Sequence, residues 1–500
     1  MNKNELVISQ KDYSGGLNES LPAHLIADNE VPDCLNVDFM KGAQISKRYG
    51  NKSWSASAIN ATWLSLYVFL NTATEFLYAD DQLIYRDKIS EQLSGYTLTA
   101  NSPPINSVQY ISTLIAGNGV DSTLKYDGTS VSTLGGSPPV AKFFEVVYNR
   151  IFATGNPSYP NRVYYTDTGT TETWGVTSYF DVAREDGDII TGLKFFRDLL
   201  IITKTYSIWV ADVSGSTPST DWSVYPLNKS LGCVANRTIQ QVENDLYLLT
   251  HVGVYPLSRI PTATATEFEV DNISNKVKPT IDRMNKIEWG RSCATNFDNK
   301  YWLAIPTGSD RTPKTILVYN YVYNNWTKYK IGANGIGINQ FLVYRNNLYA
   351  AMEDKGIRVF DKSYTESLTN DVYESYFYTK ATDFNEPTKK RYMKAVINHE
   401  AVGNWNATFK RDIDYQNQWN STNISEIGSE STFGAAIFDT SKFGWGEQLQ
   451  TRVFLPGTAG KNHGNRIQYY YGNNTVGQNF RFNGIDTHFE RYEQFGLTTG

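Results

Sequence analysis

Histidine, cysteine and methionine are scarce in this chain of 500 residues, at five, three and five copies. Cys34, Cys233 and Cys293 are odd in number and far apart, with no C-x-x-C pair and no histidine cluster beside them. That excludes a disulfide framework and a zinc knuckle, and the three read as buried free thiols. His24, His251, His399, His463 and His488 are scattered, and none stands at metal-ligand spacing from another. No G-x-S-x-G elbow, phosphate loop or H-E-x-x-H motif is present. No apolar run approaches the roughly 20 residues of a membrane helix, and MNKNELVISQKDYSGG lacks the apolar core of a signal peptide, so no leader is expected. Clustered positive charge is also missing. With 46 basic and 51 acidic residues the formal charge is −5, which argues against a surface that grips polyphosphate. A mildly acidic wall past which DNA slides without sticking remains compatible with it. The one basic run, Lys389-Lys390-Arg391, follows Pro387 and reads as a solvated strand entry. Asn60, Asn236 and Asn325 begin N-x-T triplets, which read as chance in a chain this rich in Asn and Thr.

Strong helix formers are not concentrated in any long window, whereas aromatic residues make up 14% of the chain, 34 of them tyrosine. Tyr, Trp, Phe, Thr and Val suit a pleated, half-buried surface, so the class is all-β. One phrase returns with different words: an aromatic-rich strand, a tight polar turn, a second such strand, then Asp or Gly. It starts at Leu66, Tyr110, Val146, Leu193, Val242, Asn296 and Leu342, at intervals of 36 to 54 residues. A strand-only repeat of this period marks the blades of a β-propeller. Seven phrases predict seven blades, with six as the alternative because the 36-residue interval is short. Turn punctuation at Gly117-Asn118-Gly119, Asp127-Gly128, Gly155-Asn156-Pro157, Asp186-Gly187 and Asn346-Asn347 ends the strands.

Residues 1–60 are polar and turn-rich and read as an extended N-terminal arm that lies along the body and supplies the closing strand of the ring. The propeller is expected over 61–370. One interruption, VDNISNKVKPTIDRMNKIEW, has apolar residues at helical spacing; it predicts one or two short helices, with Ser274 as a cap and Pro279 as a break. Over 371–500 longer alternating segments such as KRYMKAVINHEAV and NRIQYYYGN predict a C-terminal β-sandwich-like domain.

Acidic pairs deserve a test as glycosidase carboxylates, which must face each other across a cleft. Asp80-Asp81 and Glu185-Asp186 with Asp188 all sit at turn positions, where such side chains cap their own backbone. TDTGTTETWG, from Thr166 to Gly175, is like the Asp-box turn of sialidase propellers in Asp167 and Gly169, but Trp174 lies two residues too far on and the motif does not recur. Most Tyr and Trp residues are expected to fill the wedges between neighbouring sheets. No catalytic residue, metal site or cofactor is expected.

Several passages, in order, resemble a known family. NRVYYTDTGTTETWG followed by FDVAREDGDIITGLKFFRDLLIITKTYSIWVADVSG is similar to the central pattern of bacteriophage tail β-propeller proteins, the tail hub or tail nozzle family of short-tailed phages. NKSLGCVANRTIQQVENDLYLLTHVGVYPLS, with Gly232-Cys233 before a blade that ends in a Gly-Val-Tyr strand, resembles the next element. YWLAIPTG with ILVYNYVYNNWTKY resembles the penultimate blades, YSGGLNESLPAHLIADNEVPDCLNVDFMKGAQISKRYG the start, and RIQYYYGNNTVGQNFRFNGIDTHFERYEQFG the C-terminal strand pair. The resemblance spans most of residues 12–361. It implies a structural virion protein made in the host cytoplasm: a homohexameric ring below the head-to-tail adaptor protein, enclosing the DNA exit channel, in passive contact with transiting DNA during ejection. It also implies that the ring anchors tail fibre, spike or needle proteins, with no stable membrane insertion. The alternative reading is a carbohydrate-binding propeller that acts in host-receptor recognition.

Overall fold

The computed structural model describes residues 5–40, 44–54, 65–70, 74–79, 84–86, 91–92, 96–99, 103–216, 218–257, 272–354, 356–361, 374–400, 402, 405–416, 419–425, 448–455, 462–475 and 477–491. It divides into two compact units, each discontinuous in sequence: 52–316 with 336–360, and 1–51 with 317–335 and 361–500.

Seven small antiparallel sheets follow one another along the chain. Their innermost strands are Ser65–Leu70, Asn106–Tyr110, Phe143–Val147, Ile190–Phe196, Gln240–Val242, Cys293–Phe297 and Ile338–Tyr344, opening blades 1 to 7 in that order. Six sheets have four strands, and blade 5 has three among the described residues. The fourth strand of blade 7, Asn51–Ser53, comes from the start of the chain and pairs with Ile357–Phe360. The Trp54 amide continues that pairing, donating to the Ile357 carbonyl at 2.8 Å. Blade 7 meets blade 1 through the Gln340 side chain, which bonds both the amide and the carbonyl of Leu66, at 3.1 and 2.9 Å. The ring is therefore closed and has no open inner edge. The architecture is a seven-bladed β-propeller, at the upper of the two blade counts that the repeat allowed.

The inner hairpins owe their shape to two-residue turns. In blades 3, 4, 6 and 7 the pairs Tyr148-Asn149, Arg197-Asp198, Asp298-Asn299 and Arg345-Asn346 all have positive φ, between strands paired up to the flanking residues. Such turns match the right-handed twist of the strands. Between blades, apolar side chains fill the wedges. Tyr67, Phe69, Leu77 and Tyr126 do so between blades 1 and 2, Leu66, Tyr349, Ile357 and Val359 between blades 7 and 1, and Phe152, Val163, Leu193 and Ile202 between blades 3 and 4.

The interruption before blade 6 forms a 3-10 turn Asn275–Val277, a one-turn helix Lys278–Asp282 and a second 3-10 turn Trp289–Arg291. Two details differ from the sequence expectation. Pro279 lies in the first turn of its helix, where its missing amide costs nothing, so it starts the helix rather than breaking it. Ser274 caps no helix; its hydroxyl accepts the Val254 amide at 2.9 Å and holds the preceding strand.

The second unit holds two large sheets beside a two-stranded parallel pair, Gly16–Leu17 with Glu30–Val31. One is built around Lys390–Glu400 and Arg481–Arg491, the other around Asn406–Ile413 and Ile467–Asn473. Aromatic rings fill the space between them: Phe377 and Tyr471 from one sheet meet Phe482 from the other at centroid distances of 5.0 and 5.1 Å. Tyr13 sits edge-on to Phe377 and Phe482 at 5.8 and 5.6 Å. This is the β-sandwich expected after 371, but the N-terminal segment is woven into it rather than being a separate arm. Leu6–Gln10 pairs with Arg481–Arg491, Ile45–Lys47 with the same strand, and Cys34–Leu35 with Ser375–Tyr378. Within the unit, Arg48 bonds the Asn36 side chain at 2.8 Å and the Lys330 carbonyl at 2.9 Å. Lys328 bridges Glu19 and Asp33 at 2.7 and 3.0 Å. The division after 51 and 360, instead of 60 and 370, follows from these pairings across nearly the whole chain.

Candidate functional site: an axial cavity with two unpaired cations

The propeller carries a cavity of about 490 Å³ at the end of the ring where the innermost strands begin. Asn106, Phe143, Ile190 and Asn339 line it from the strand entries of blades 2, 3, 4 and 7. Residues 234–237 and 287–291 line it from just before blades 5 and 6.

Arg237 closes the axis. It belongs to the turn Asn236–Thr238 that leads into blade 5, and on a seven-bladed ring that position faces blades 1 and 2 across the centre. Its Nε donates to Asn106 Oδ1 at 3.2 Å and its Nη1 to the Asn339 carbonyl at 3.1 Å. Its Nη2 donates to the Ile105 carbonyl at 2.6 Å and Ser65 Oγ at 3.4 Å. All four partners are neutral, and burial pulls the Arg237 pKa down. Asn106 passes the link on, its side-chain amide donating to the Lys142 carbonyl at 3.0 Å.

Lys142 is the second cation. Its stem lies against Gly155, where a Cβ would come within 2.8 Å of the Lys142 Cβ, and its amine stands 5.3 Å from the centroid of the Phe143 ring. Burial lowers the Lys142 pKa, and the Arg237 charge lowers it further. Glu288 is the carboxylate in the lining and is paired with Arg291 at 3.0 Å. Among the described residues no carboxylate pairs with Lys142 or Arg237. Among the described residues the cavity thus holds these two like charges and no counter-charge for them.

Gly192 and Gly232 explain two of the sequence motifs physically. A Cβ on Gly192, in the DIITGL step, would sit 2.4 Å from Asn236 Oδ1, so the glycine leaves room for the Asn236 side chain of the turn that carries Arg237. A Cβ on Gly232 would meet the Lys204 carbonyl at 2.2 Å. There the Cys233 amide donates to Lys204 at 2.8 Å, and Thr191 Oγ1 donates to the Cys233 carbonyl at 2.5 Å. Both motifs hold blade 4 against blade 5.

The residues singled out in the sequence lie elsewhere. Asp186 clamps the buried Lys204 amine with both oxygens at 2.8 Å and accepts the Asp188 amide at 3.1 Å. Asp188 accepts the Thr205 and Tyr206 amides at 3.2 and 2.8 Å. These acids organise turns; Asp80-Asp81 lie outside the described residues. In TDTGTTETWG the Asp167 amide bonds the Thr173 carbonyl at 3.1 Å and Gly169 has φ +78°, which makes a closed turn. His24 meets Tyr415, His399 meets Thr451 and His488 meets Glu5, at 3.2, 2.9 and 2.6 Å. No group of three potential metal ligands is found among the described residues. The three cysteines are free and buried. Burial pushes the Cys34 and Cys293 thiols up to about 12 and Cys233 to about 11.

Lys390 corrects one expectation. It is not solvated but 0% exposed, its amine bonded to the carbonyls of Glu386, Thr388 and Asn465. Strand alternation turns it inward, where the loops leave three carbonyls open. Arg237 and Lys142 were not singled out in the sequence, because each is a lone cation at a strand entry; Asn236 was noted only as a chance triplet.

No family model matches the chain and no curated protein matches it. Solved structures that resemble it are propellers of varied description. They include BamB from Moraxella catarrhalis, 10% identical with a TM-score of 0.36, over 65% of this chain and 94% of that one. The Pan2 WD40 domain of Neurospora crassa is 9% identical with a TM-score of 0.38, over 65% and 97%. Virginiamycin B lyase of Staphylococcus aureus is 10% identical with a TM-score of 0.36, over 71% and 98%. No helix among the described residues is long and apolar enough to cross a membrane.

Proposed function

We propose that this chain is a structural virion protein of a bacteriophage tail, of the hub or nozzle kind. Six copies would form a ring below the head-to-tail adaptor, enclose the DNA exit channel and anchor the distal tail parts. The observation that carries this reading is the ordered set of motifs that resemble those of tail propellers, several of which have a mechanical purpose here. Gly192 and Gly232 lock blade 4 to blade 5, and the segment 1–51 builds a sandwich with the C-terminal strands. A ring with its seam closed by Asn51–Ser53 suits a part that must resist shear. Because Arg237 spans the ring from the turn before blade 5 to blades 1, 2 and 7, the DNA channel would lie between chains, with each propeller as a segment of its wall.

Mass photometry and electron microscopy of the full chain, alone and mixed with an adaptor protein, test this. Rings of six are expected, and monomers under both conditions would overturn the reading. The carbohydrate-binding alternative needs aromatic residues repeated at equivalent exposed positions. At the first residue of the inner hairpin turn, blades 2 to 7 place Ile111, Tyr148, Arg197, Glu243, Asp298 and Arg345. One aromatic in six gives that reading no repeated platform there.

A further inference from the structure

We infer that the axial cavity is an oxyanion-binding site, with Lys142 and Arg237 as its cationic walls and an apolar rim that favours a ligand carrying apolar groups beside its carboxylate or phosphate. The argument starts from charge. Two cations face one space, and burial already disfavours the charged form of each. Both cations are half-buried in the cavity wall, where charges partly shielded from water are stabilised by pairing, yet the carboxylate of the lining, Glu288, is taken by Arg291. Arg237 is fixed by four neutral acceptors from blades 1, 2 and 7, so its charge is held in place without being neutralised. Lys142 is backed by the Phe143 ring, which orients the amine without neutralising it. An oxyanion between them would supply the missing charge and accept charge-assisted hydrogen bonds without reorganising the ring.

Size and rim narrow the ligand. About 490 Å³ is within the range of small-molecule pockets and far exceeds a bare ion. Pro103, Pro104, Pro157 and Ile189 line the cavity with Ile287, which is 90% exposed. An isoleucine that exposed on the rim of a cationic pocket offers contact area to whatever carries the anion. An acidic side chain flanked by apolar residues in a peptide fits these terms, as does a small organic phosphate.

Isothermal titration calorimetry on the full chain tests the site with two probes: inorganic phosphate, and a short apolar peptide with one central Glu, compared with the same peptide carrying Gln. The Glu peptide should bind at least tenfold tighter than the Gln peptide, and its binding should weaken as salt rises. Phosphate binding without peptide binding supports the site with a small ion as its source; peptide binding identifies a protein segment. Lys142→Met, which keeps the stem, should weaken either probe about tenfold. Ile287→Glu, at an exposed position that cannot disturb the core, should weaken it severalfold and guards against misfolding of the first variant. Neither probe binding with a Kd below ~10 mM, or both variants binding as the parent does, overturns the proposal.

Discussion

Arg237 does at one position what a core layer does in other folds, because its five donors can be shared among blades that have no strand in common. Replacing it with methionine leaves the Asn339 carbonyl and the Asn106 side-chain oxygen without this donor, while the Ile105 carbonyl keeps the Tyr67 hydroxyl at 2.9 Å. Unsatisfied buried groups cost about 1–3 kcal/mol each, partly relieved by water from the cavity, so a loss of about 2–4 kcal/mol in propeller stability is expected. Urea denaturation followed by tryptophan fluorescence measures it, and a change under about 0.5 kcal/mol would mean that the four bonds are incidental. The cysteines allow a second prediction. With thiols pushed up to about 12, 11 and 12, the native chain should not react with a thiol reagent at neutral pH, and its reactivity should not rise between pH 7 and 9 as that of an exposed thiol would. All three should react once the chain is unfolded.

The elements of the propeller were legible in the sequence because each carries its own signal. Strand pairs announce themselves by aromatic content, and turns by residues that tolerate positive φ. Asn346, with φ +58° on the exposed inner hairpin of blade 7, shows how strong that signal is. Asn346→Gly should be neutral or slightly stabilising, whereas Asn346→Val should cost about 1–2 kcal/mol, because a β-branched side chain clashes in that region; thermal melts of the two variants decide it. What the sequence concealed were the pairings between its ends. Leu6–Gln10 meets Arg481–Arg491 with no local cue, so the start of the chain reads as an arm when it is part of a sheet. The cavity was hidden for a related reason. Lys142 and Arg237 converge only when the ring closes, and neither belongs to a motif of fixed spacing. The seam is testable in the same terms. Trp54→Pro removes the amide that bonds Ile357, whereas Trp54→Phe keeps it. Proteolysis after residue 54 should speed up at least severalfold in the proline variant and change little in the phenylalanine variant.

At the scale of the whole molecule, buried phenols and thiols set the response to alkali. Burial holds Tyr13, Tyr301 and Tyr329 well above the usual phenol range, and the three thiols sit above their unfolded value of 9. Between the unfolded and folded values the native state binds more protons than the unfolded one, so stability is intact below pH 9 and falls as pH rises past it. The urea midpoint should therefore decline between about pH 9 and pH 11, and a flat profile there would contradict the burial of these groups.

The strand Asn51–Ser53 also places a constraint on synthesis. Its partner Ile357–Phe360 begins 304 residues later (357 − 53), which at ~5–20 residues per second means a wait of about 15–60 s. The partner of Leu6–Gln10 comes later still. Blades can condense as they emerge, but the seam cannot be sewn until most of the message has been read. A ribosome that stalls midway leaves a spiral with exposed strand edges, a species suited to recognition by chaperones and proteases. Quality control of this protein is in that sense written into the order in which its strands are made.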